Sequence, residues 1–325
     1  MKEEYALFGK MMNSYYYGKS GKGDYRKEDL PTNRWQLFWE MLRVRLSGLM
    51  RLNLLYMLCW LPAMLVLMFS AIGLLTGLNQ FVDPEAAAAA GVAVSAESVL
   101  DLITSTVAST LLLLAPCIAI TGPFTAGLSY VTRNWARDEH SFIWSDFKDA
   151  VKENWKQALA VSCINGFVPL LAYVCWTFYG DMAANNGIMV VPQILTMMIA
   201  LVWCLTVTYL YPLMVSYRLK FKDLIRNGVL LSIARLPVSL GMRLLHCVPA
   251  IIAGVVAFMF NALWGMLGLF MYYALIGFSL SRFITASFTN GVFDKYINKH
   301  IEGAQINRGL NTEVDDEDDE EFDEE

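Results

Sequence analysis

The chain has 325 residues, of which 56% are hydrophobic and only 17% are charged. This composition is typical of an integral membrane protein and argues against a soluble enzyme or a nucleic-acid-binding protein. The charge is also sorted along the chain. Eleven of the last thirteen residues are Asp or Glu, whereas the remainder has 25 basic and 19 acidic residues.

Residues 1–52 are polar and contain ten Lys or Arg, so they predict a cytoplasmic segment without a secretory signal. Between residues 33 and 52, apolar side chains such as Trp35 and Trp39 recur at helical spacing, with arginines on the other face. The pattern predicts a basic amphipathic helix in the lipid headgroup layer before the first span. Packing against other cytoplasmic segments is the alternative.

A helix needs about 20 apolar residues to cross the hydrocarbon core. The final uncharged stretch, residues 244–281, is too long for one crossing, so we place a turn near Asn261. The sequence thus predicts an all-α bundle with no independent soluble domain. Its membrane domain, residues 53–285, contains six spans: 53–78, 102–128, 157–179, 188–217, 238–260 and 262–283.

Every Lys and Arg falls on one side of this six-span arrangement. Ten precede the first span, five lie in residues 129–156, six in 218–243 and four in 282–325. The alternate connections contain no basic residue. Because positively charged flanks are retained in the cytoplasm, we expect a multi-pass protein of the bacterial cytoplasmic membrane with both termini inside.

Two further amphipathic helices are predicted before later spans. One covers about residues 145–156, with Ser145 as its cap, and the other begins near Phe221. The tripeptide Phe-Lys-Asp occurs at residues 147–149 and again at 221–223. We interpret this as a sign of a threefold unit consisting of an interfacial helix, a span out and a span back.

Few ionisable groups fall within the spans, whereas seven of the ten prolines do. Proline frees a helix carbonyl, and residues 121–125 predict the densest break. A solute pathway could follow such a break. The alternative is structural, since membrane helices tolerate proline where neighbours satisfy the backbone. The candidate pathway residues are Asp101, Pro116, Gly122, Pro123 and Thr125.

Nothing in the sequence predicts a catalytic, cofactor or metal site. Nucleotide-binding, hydrolase and zinc-protease motifs do not occur, and the three histidines and six cysteines have no metal-ligand spacing. We therefore expect a protein that is not an enzyme.

The C-terminal region divides into a cytoplasmic segment, residues 286–308, and an acidic tail, residues 309–325. A run of like charges cannot bury enough apolar surface to fold, which predicts disorder. The tail could be a solvated terminus without a partner. It could also contact the chain's own basic face or another protein.

Three segments resemble the YesL-like family of bacterial membrane proteins. They are an asparagine- and leucine-rich first span ending in proline at residues 53–62, a glycine-proline-threonine-alanine segment at 122–128, and a cytoplasmic helix at 142–157. The resemblance extends from about Asn53 to Lys299. The long connection at residues 79–97 and the acidic tail depart from it.

The resemblance implies an unknown molecular function and no established functional residues. Members of the family are often encoded beside sugar-uptake ABC transporters and their two-component regulators. We therefore expect a non-enzymatic accessory or scaffold protein for carbohydrate uptake or sensing. Its partners would be the lipid bilayer and a sugar ABC transporter subunit or two-component sensor. The rival hypothesis is a transporter or channel for a small neutral solute.

Overall fold

The computed structural model describes residues 31–82 and 95–311, and in these ranges the regular structure is entirely helical. The alanine run at 86–90 and most of the predicted tail, residues 312–325, lie outside them. The helices are α1 (Arg34–Val82), α2 (Ala96–Ala136), α3 (Ile143–Ala183), α4 (Val190–Ser216), α5 (Phe221–Ala234), α6 (Leu236–Met259), α7 (Ala262–Tyr272) and α8 (Phe278–Tyr296).

Six helical segments in this part of the chain are long and apolar enough to cross a membrane. They are α1, α2, α3, α4 with its short leading turn, α6, and the α7–α8 segment, and each overlaps one predicted span. The fold is therefore the predicted all-α membrane bundle. The expected turn near Asn261 is present: the side-chain oxygen of Asn261 accepts a 2.8 Å hydrogen bond from the Leu263 amide at the start of α7.

The predicted amphipathic segment 33–52 is not a separate helix lying before the first span. It is the beginning of α1, a single helix of 49 residues capped by Asn33, whose side chain accepts a 2.9 Å bond from the Gln36 amide. No helix-breaking residue separates the two parts, and Pro62 does not interrupt α1. At 1.5 Å per residue, α1 is about 74 Å long, well beyond the thickness of a bilayer.

The second predicted amphipathic helix is likewise continuous with a span, as the first part of α3. It begins at Ile143, and Ser145 is not its cap. Instead, Asp146 accepts hydrogen bonds of 2.9 Å from the Phe142 amide and 2.7 Å from the Ser141 hydroxyl. The third, α5, begins at Phe221 as predicted. The threefold unit stays a prediction.

All described Lys and Arg residues lie toward one end of the bundle, which we call the basic end. It contains the starts of α1, α3 and α6, the ends of α2 and α4, most of α8 and all of α5. Packing is densest here: ten consecutive residues of α4, Leu205–Met214, are buried. By contrast, α6 buries only Ser239 and α7 only Gly265. The bundle is therefore tightly packed at the basic end, and its exposed apolar side chains elsewhere suit contact with lipid.

The C-terminal segment closes the basic end. After α8, the chain turns back across the start of α1 and the end of α2. Leu310 packs on the core cluster that contains Leu37 and Trp135. The Asn311 amide donates a 3.0 Å bond to the Pro31 carbonyl. We call residues 297–311 the C-terminal strap.

Candidate functional site

The five residues predicted to form a solute pathway all lie on α2, but in different surroundings. Asp101 and Pro116 are exposed, Pro123 is partly buried, and Gly122 and Thr125 are buried. The structure therefore brings Gly122 and Thr125 into the bundle interior and leaves the other end of the proposed pathway on the surface.

Gly122 is a point of close approach between α2 and α3. A Cβ atom at this position would overlap the carbonyl oxygen of Ala158, and a Cβ at Gly166 on α3 would lie 2.5 Å from the Ala115 carbonyl oxygen. The two glycines thus allow the helices to pack backbone against backbone, as small residues do in membrane proteins. This contact fills the space around Gly122.

The predicted break at residues 121–125 is absent, because α2 is continuous through Pro116 and Pro123. Hydroxyl groups supply hydrogen bonds to nearby carbonyls. The side chains of Thr121 and Ser162 both donate to the Ile118 carbonyl, and Thr125 donates 2.9 Å to the Thr121 carbonyl. Membrane helices tolerate proline without a break, as α2 does at both positions.

Thr125 also joins α2 to α1, since its hydroxyl lies 2.6 Å from that of Tyr56. The Arg282 guanidinium of α8 lies 5.0 Å from the ring centroid of Tyr211 on α4, a cation–π contact. These polar groups hold neighbouring helices together inside the membrane domain.

A cavity of about 270 Å³ opens at the basic end, away from the predicted pathway residues. The ends of α2 and α4, one face of α8 and the C-terminal strap form its walls. The lining residues are Arg133, Arg137, Ser216, Tyr217, Asn290, Phe293, Asp294, Asn298, Ile301, Ala304 and Gln305. We call this cavity the basic-end pocket and treat it as a candidate site.

Asp294 organises one wall of the basic-end pocket. Its buried carboxylate accepts a 2.6 Å charged hydrogen bond from Arg34, a 3.2 Å bond from the Asn307 amide, and a bond from the Asn298 side chain. Arg34 also donates 2.8 Å to the Asn307 side-chain oxygen. The network fastens the strap to the start of α1 and neutralises the Asp294 charge.

Tyr217, which follows the last residue of α4, extends this wall. Its hydroxyl donates a 2.7 Å hydrogen bond to the side-chain oxygen of Asn298. Burial, with a further contribution from the negative charge of Asp294, raises the pKa of Tyr217 to about 12. The phenol therefore stays protonated and keeps donating at physiological pH.

Three residues that line the pocket also have buried polar atoms without a protein partner in the described part of the chain. The Nε of Arg133, the Nδ2 of Asn290 and the Oγ of Ser216 are buried and have no hydrogen-bond partner among the described residues. Asn290 is only 5% exposed. Buried donors are normally satisfied, so these three atoms are exceptions, and each is covered by protein with almost no surface open to the cavity.

The sequence did not predict this pocket. In the sequence, Arg133 and Arg137 indicate only the orientation of the chain, and Asn290 lies more than 150 positions from them. The one available signal was polar residues within an apolar helix, such as Asn290. Among the described residues, no cluster of three or more His, Cys, Asp or Glu could hold a metal ion.

The fold and the sorting of charge define the chain as a multi-pass α-helical membrane protein. Residues 49–176 match a family described as "Protein of unknown function, DUF624". The matched region extends from within α1 to within α3 and contains the α2–α3 contact at Gly122. No curated protein and no solved structure matches the chain.

Proposed function

We propose that the protein is a non-enzymatic accessory or scaffold component of a carbohydrate uptake or sensing system in a bacterial cytoplasmic membrane. Its basic end faces the cytoplasm and contacts a sugar ABC transporter subunit or a two-component sensor. The YesL-like resemblance supplies the carbohydrate context, and the charge distribution supports the orientation. The proposal includes no catalytic step.

One observation supports a partner-binding function most directly. The stretch of α1 before its apolar part, residues 34–51, is about 27 Å long and, as part of a continuous helix, extends beyond the membrane-crossing segment. It carries Trp35 and Trp39, which are 68% and 52% exposed. We call these two residues the aromatic patch.

The aromatic patch packs on the bundle through Phe38. The Phe38 ring lies between the patch and the bundle, 5.3 Å from the Trp39 ring and stacked 5.5 Å from the Phe283 ring of α8. Exposed tryptophans on a fixed backbone are typical of energetically important contacts in protein interfaces. Held beyond the membrane-crossing part of α1, the patch suits a protein partner better than lipid.

The test is site-specific crosslinking in native membranes. A photoreactive amino acid in place of Trp39 is expected to trap a transporter subunit or a sensor kinase. Trp264 provides the matched control: it is 62% exposed but lies on α7, near the opposite end of the bundle. Crosslinks from position 39 only to lipid or to the same chain, or equal partner capture from both positions, would contradict the proposal.

A transporter for a small neutral solute is the second candidate. A row of buried hydroxyls on α2, comprising Thr121, Thr125, Ser129 and Thr132, favours it because polar side chains could line a pathway in another conformation. Purified protein in liposomes decides between the two. Faster entry of labelled sugars than into empty vesicles, abolished by Thr125→Val, would establish transport and overturn the accessory proposal.

A further inference from the structure

Two arginines lie close together where α6 approaches α8, within the membrane domain. His246 of α6 joins the two helices, since its Nε2 lies 3.1 Å from the Ser281 carbonyl oxygen and 3.3 Å from the Thr285 hydroxyl. Arg243 lies about one turn before His246 on α6, and Arg282 directly follows Ser281 on α8. The two guanidinium groups are near enough to repel each other. We call Arg243, His246 and Arg282 the membrane basic cluster.

No acidic side chain of the surrounding helices compensates this charge. Neither α4 nor residues 236–293 contain an Asp or Glu, and the next carboxylate, Asp294, is paired with Arg34. Among the described residues, Arg243 has no hydrogen-bond or ion-pair partner, and Arg282 has only the cation–π contact described above. A charge in apolar surroundings is costly without a counter-charge. The cluster therefore requires a negative group from elsewhere.

The arginines of the cluster are accessible to a ligand. Both side chains are partly exposed. Of their guanidinium nitrogens, only Arg243 Nε is fully covered by the described part of the chain, so the terminal nitrogens stay open to an approaching acceptor. Because α6 buries only Ser239 against its neighbours, the cleft beside it is open to lipid.

The depth of the cluster favours a lipid headgroup over a soluble anion. The far end of α6 is Met259, and about 20 residues cross the hydrocarbon core, which places the boundary on the other side near residue 240. Arg243 lies about one turn inside that boundary, and its long side chain can still reach the headgroup layer. Leu240, Leu244 and Val248 are exposed beside it and offer an apolar surface to acyl chains.

We propose that the membrane basic cluster binds the headgroup of an anionic phospholipid, with Arg243 and Arg282 donating to the phosphate oxygens and His246 holding α6 against α8. A guanidinium presents parallel N–H groups that match phosphate oxygens. Basic sites between membrane helices on the cytoplasmic side are typical of anionic-headgroup recognition. The site is independent of the aromatic patch and of the basic-end pocket, and it requires no protein partner.

The test uses the full-length protein in nanodiscs of phosphatidylcholine that contain phosphatidylglycerol as the probe. Native mass spectrometry measures the phosphatidylglycerol that stays bound. Arg243→Gln and Arg282→Gln should each weaken binding at least tenfold. Arg51→Gln is the matched control, because Arg51 is an exposed arginine beside the first apolar stretch of α1. One charge near a membrane surface changes affinity by only about fivefold. Equal losses in all three variants would overturn the proposal.

Arg243→Gln also separates binding from a structural effect. It removes no hydrogen bond or ion pair within the described residues and relieves the repulsion from Arg282. In phosphatidylcholine alone, the variant should therefore unfold at the same temperature as wild type or higher. Phosphatidylglycerol should raise the unfolding temperature of wild type but not that of the variant. A lower unfolding temperature in phosphatidylcholine, together with the full wild-type rise in phosphatidylglycerol, would contradict the proposal.

The acidic tail is the rival source of negative charge, since eleven of the last thirteen residues are Asp or Glu. A full-length chain in which these residues are replaced by Asn and Gln should bind phosphatidylglycerol as tightly as wild type. If phosphatidylglycerol binds the neutral-tail chain but not wild type, the tail occupies the cluster and the lipid proposal is wrong. Equal retention of phosphatidylcholine and phosphatidylglycerol by wild type would also overturn it.

Discussion

At the residue scale, glycines in similar apolar helices differ in whether their neighbours leave room for a side chain. Gly122 and Gly166 lie where α2 and α3 meet, whereas Gly254 on α6 has no atom within 4 Å of an added Cβ. All three are helical glycines in apolar segments. Only the neighbouring helix determines whether a methyl group is harmful, and the sequence around each glycine does not reveal this.

Gly122→Ala should destabilise the protein, because the new Cβ overlaps the Ala158 backbone, which cannot move without separating α2 from α3. Overpacking of this kind costs about 1–3 kcal/mol. The control, Gly254→Ala, should stabilise by about 0.5–1 kcal/mol, since alanine is the better helix former. Thermal unfolding in detergent, followed by tryptophan fluorescence, measures both. Equal stability of the two variants would argue against close α2–α3 packing.

At the scale of elements, a single asparagine supports an irregular turn in the facing helix. Residues 273–277, between α7 and α8, form a π-helical turn, which displaces the usual hydrogen bonds. Asn53 of α1 donates to the carbonyls of Tyr273 and Ala274 at 2.8 and 2.9 Å, and accepts 3.0 Å from the Ser279 amide. Asn53 is fully buried. Through these three hydrogen bonds it links the first and last spans.

Asn53→Leu should therefore loosen the α7–α8 junction specifically. The substitution keeps the approximate volume but leaves buried backbone groups unpaired, at a cost of about 1–3 kcal/mol each. Hydrogen exchange should rise in residues 273–279 more than elsewhere. Asn165→Leu is the control, since Asn165 lies in α3 and has no hydrogen-bond partner among the described residues. Similar exchange in both variants would show that the turn does not depend on Asn53.

At the scale of the whole molecule, dense packing and basic charge occur at the same end of the bundle. The described basic residues, the largest buried side chains and the strap are all concentrated toward one end of the bundle, while α6 and α7 are largely exposed. A membrane bundle gains little from burying apolar side chains within the lipid, because lipid tails are equally apolar. At the basic end, which extends beyond the bilayer, apolar burial does stabilise the fold.

The orientation is tested with reporter fusions. A reporter active only in the cytoplasm should be inactive when joined at residue 185, in the turn between α3 and α4, and active when joined after residue 301. The expectation follows from the confinement of Lys and Arg to the basic end. Activity at residue 185, or inactivity after residue 301, would be incompatible with cytoplasmic termini. A fusion at residue 88 gives an independent check of the first outward connection.

The spans could be predicted because they depend on local properties. A backbone in lipid must satisfy its own hydrogen bonds, so an apolar stretch of sufficient length predicts a helix without knowledge of its neighbours. The turn at Asn261 followed in the same way, from the excess length of one uncharged stretch. The sequence also predicted where α1 and α5 begin, near Asn33 and Phe221.

The sequence by itself therefore determined the helical class, the approximate spans and the expected orientation. Only the tertiary structure decided that α1 and α3 are continuous, that Gly122 is a packing residue, and that Arg133, Ser216 and Asn290 share a pocket. The physical reason is distance along the chain. Hydropathy and charge act over one helix, whereas a pocket requires side chains from several helices to meet, and no local pattern encodes that meeting.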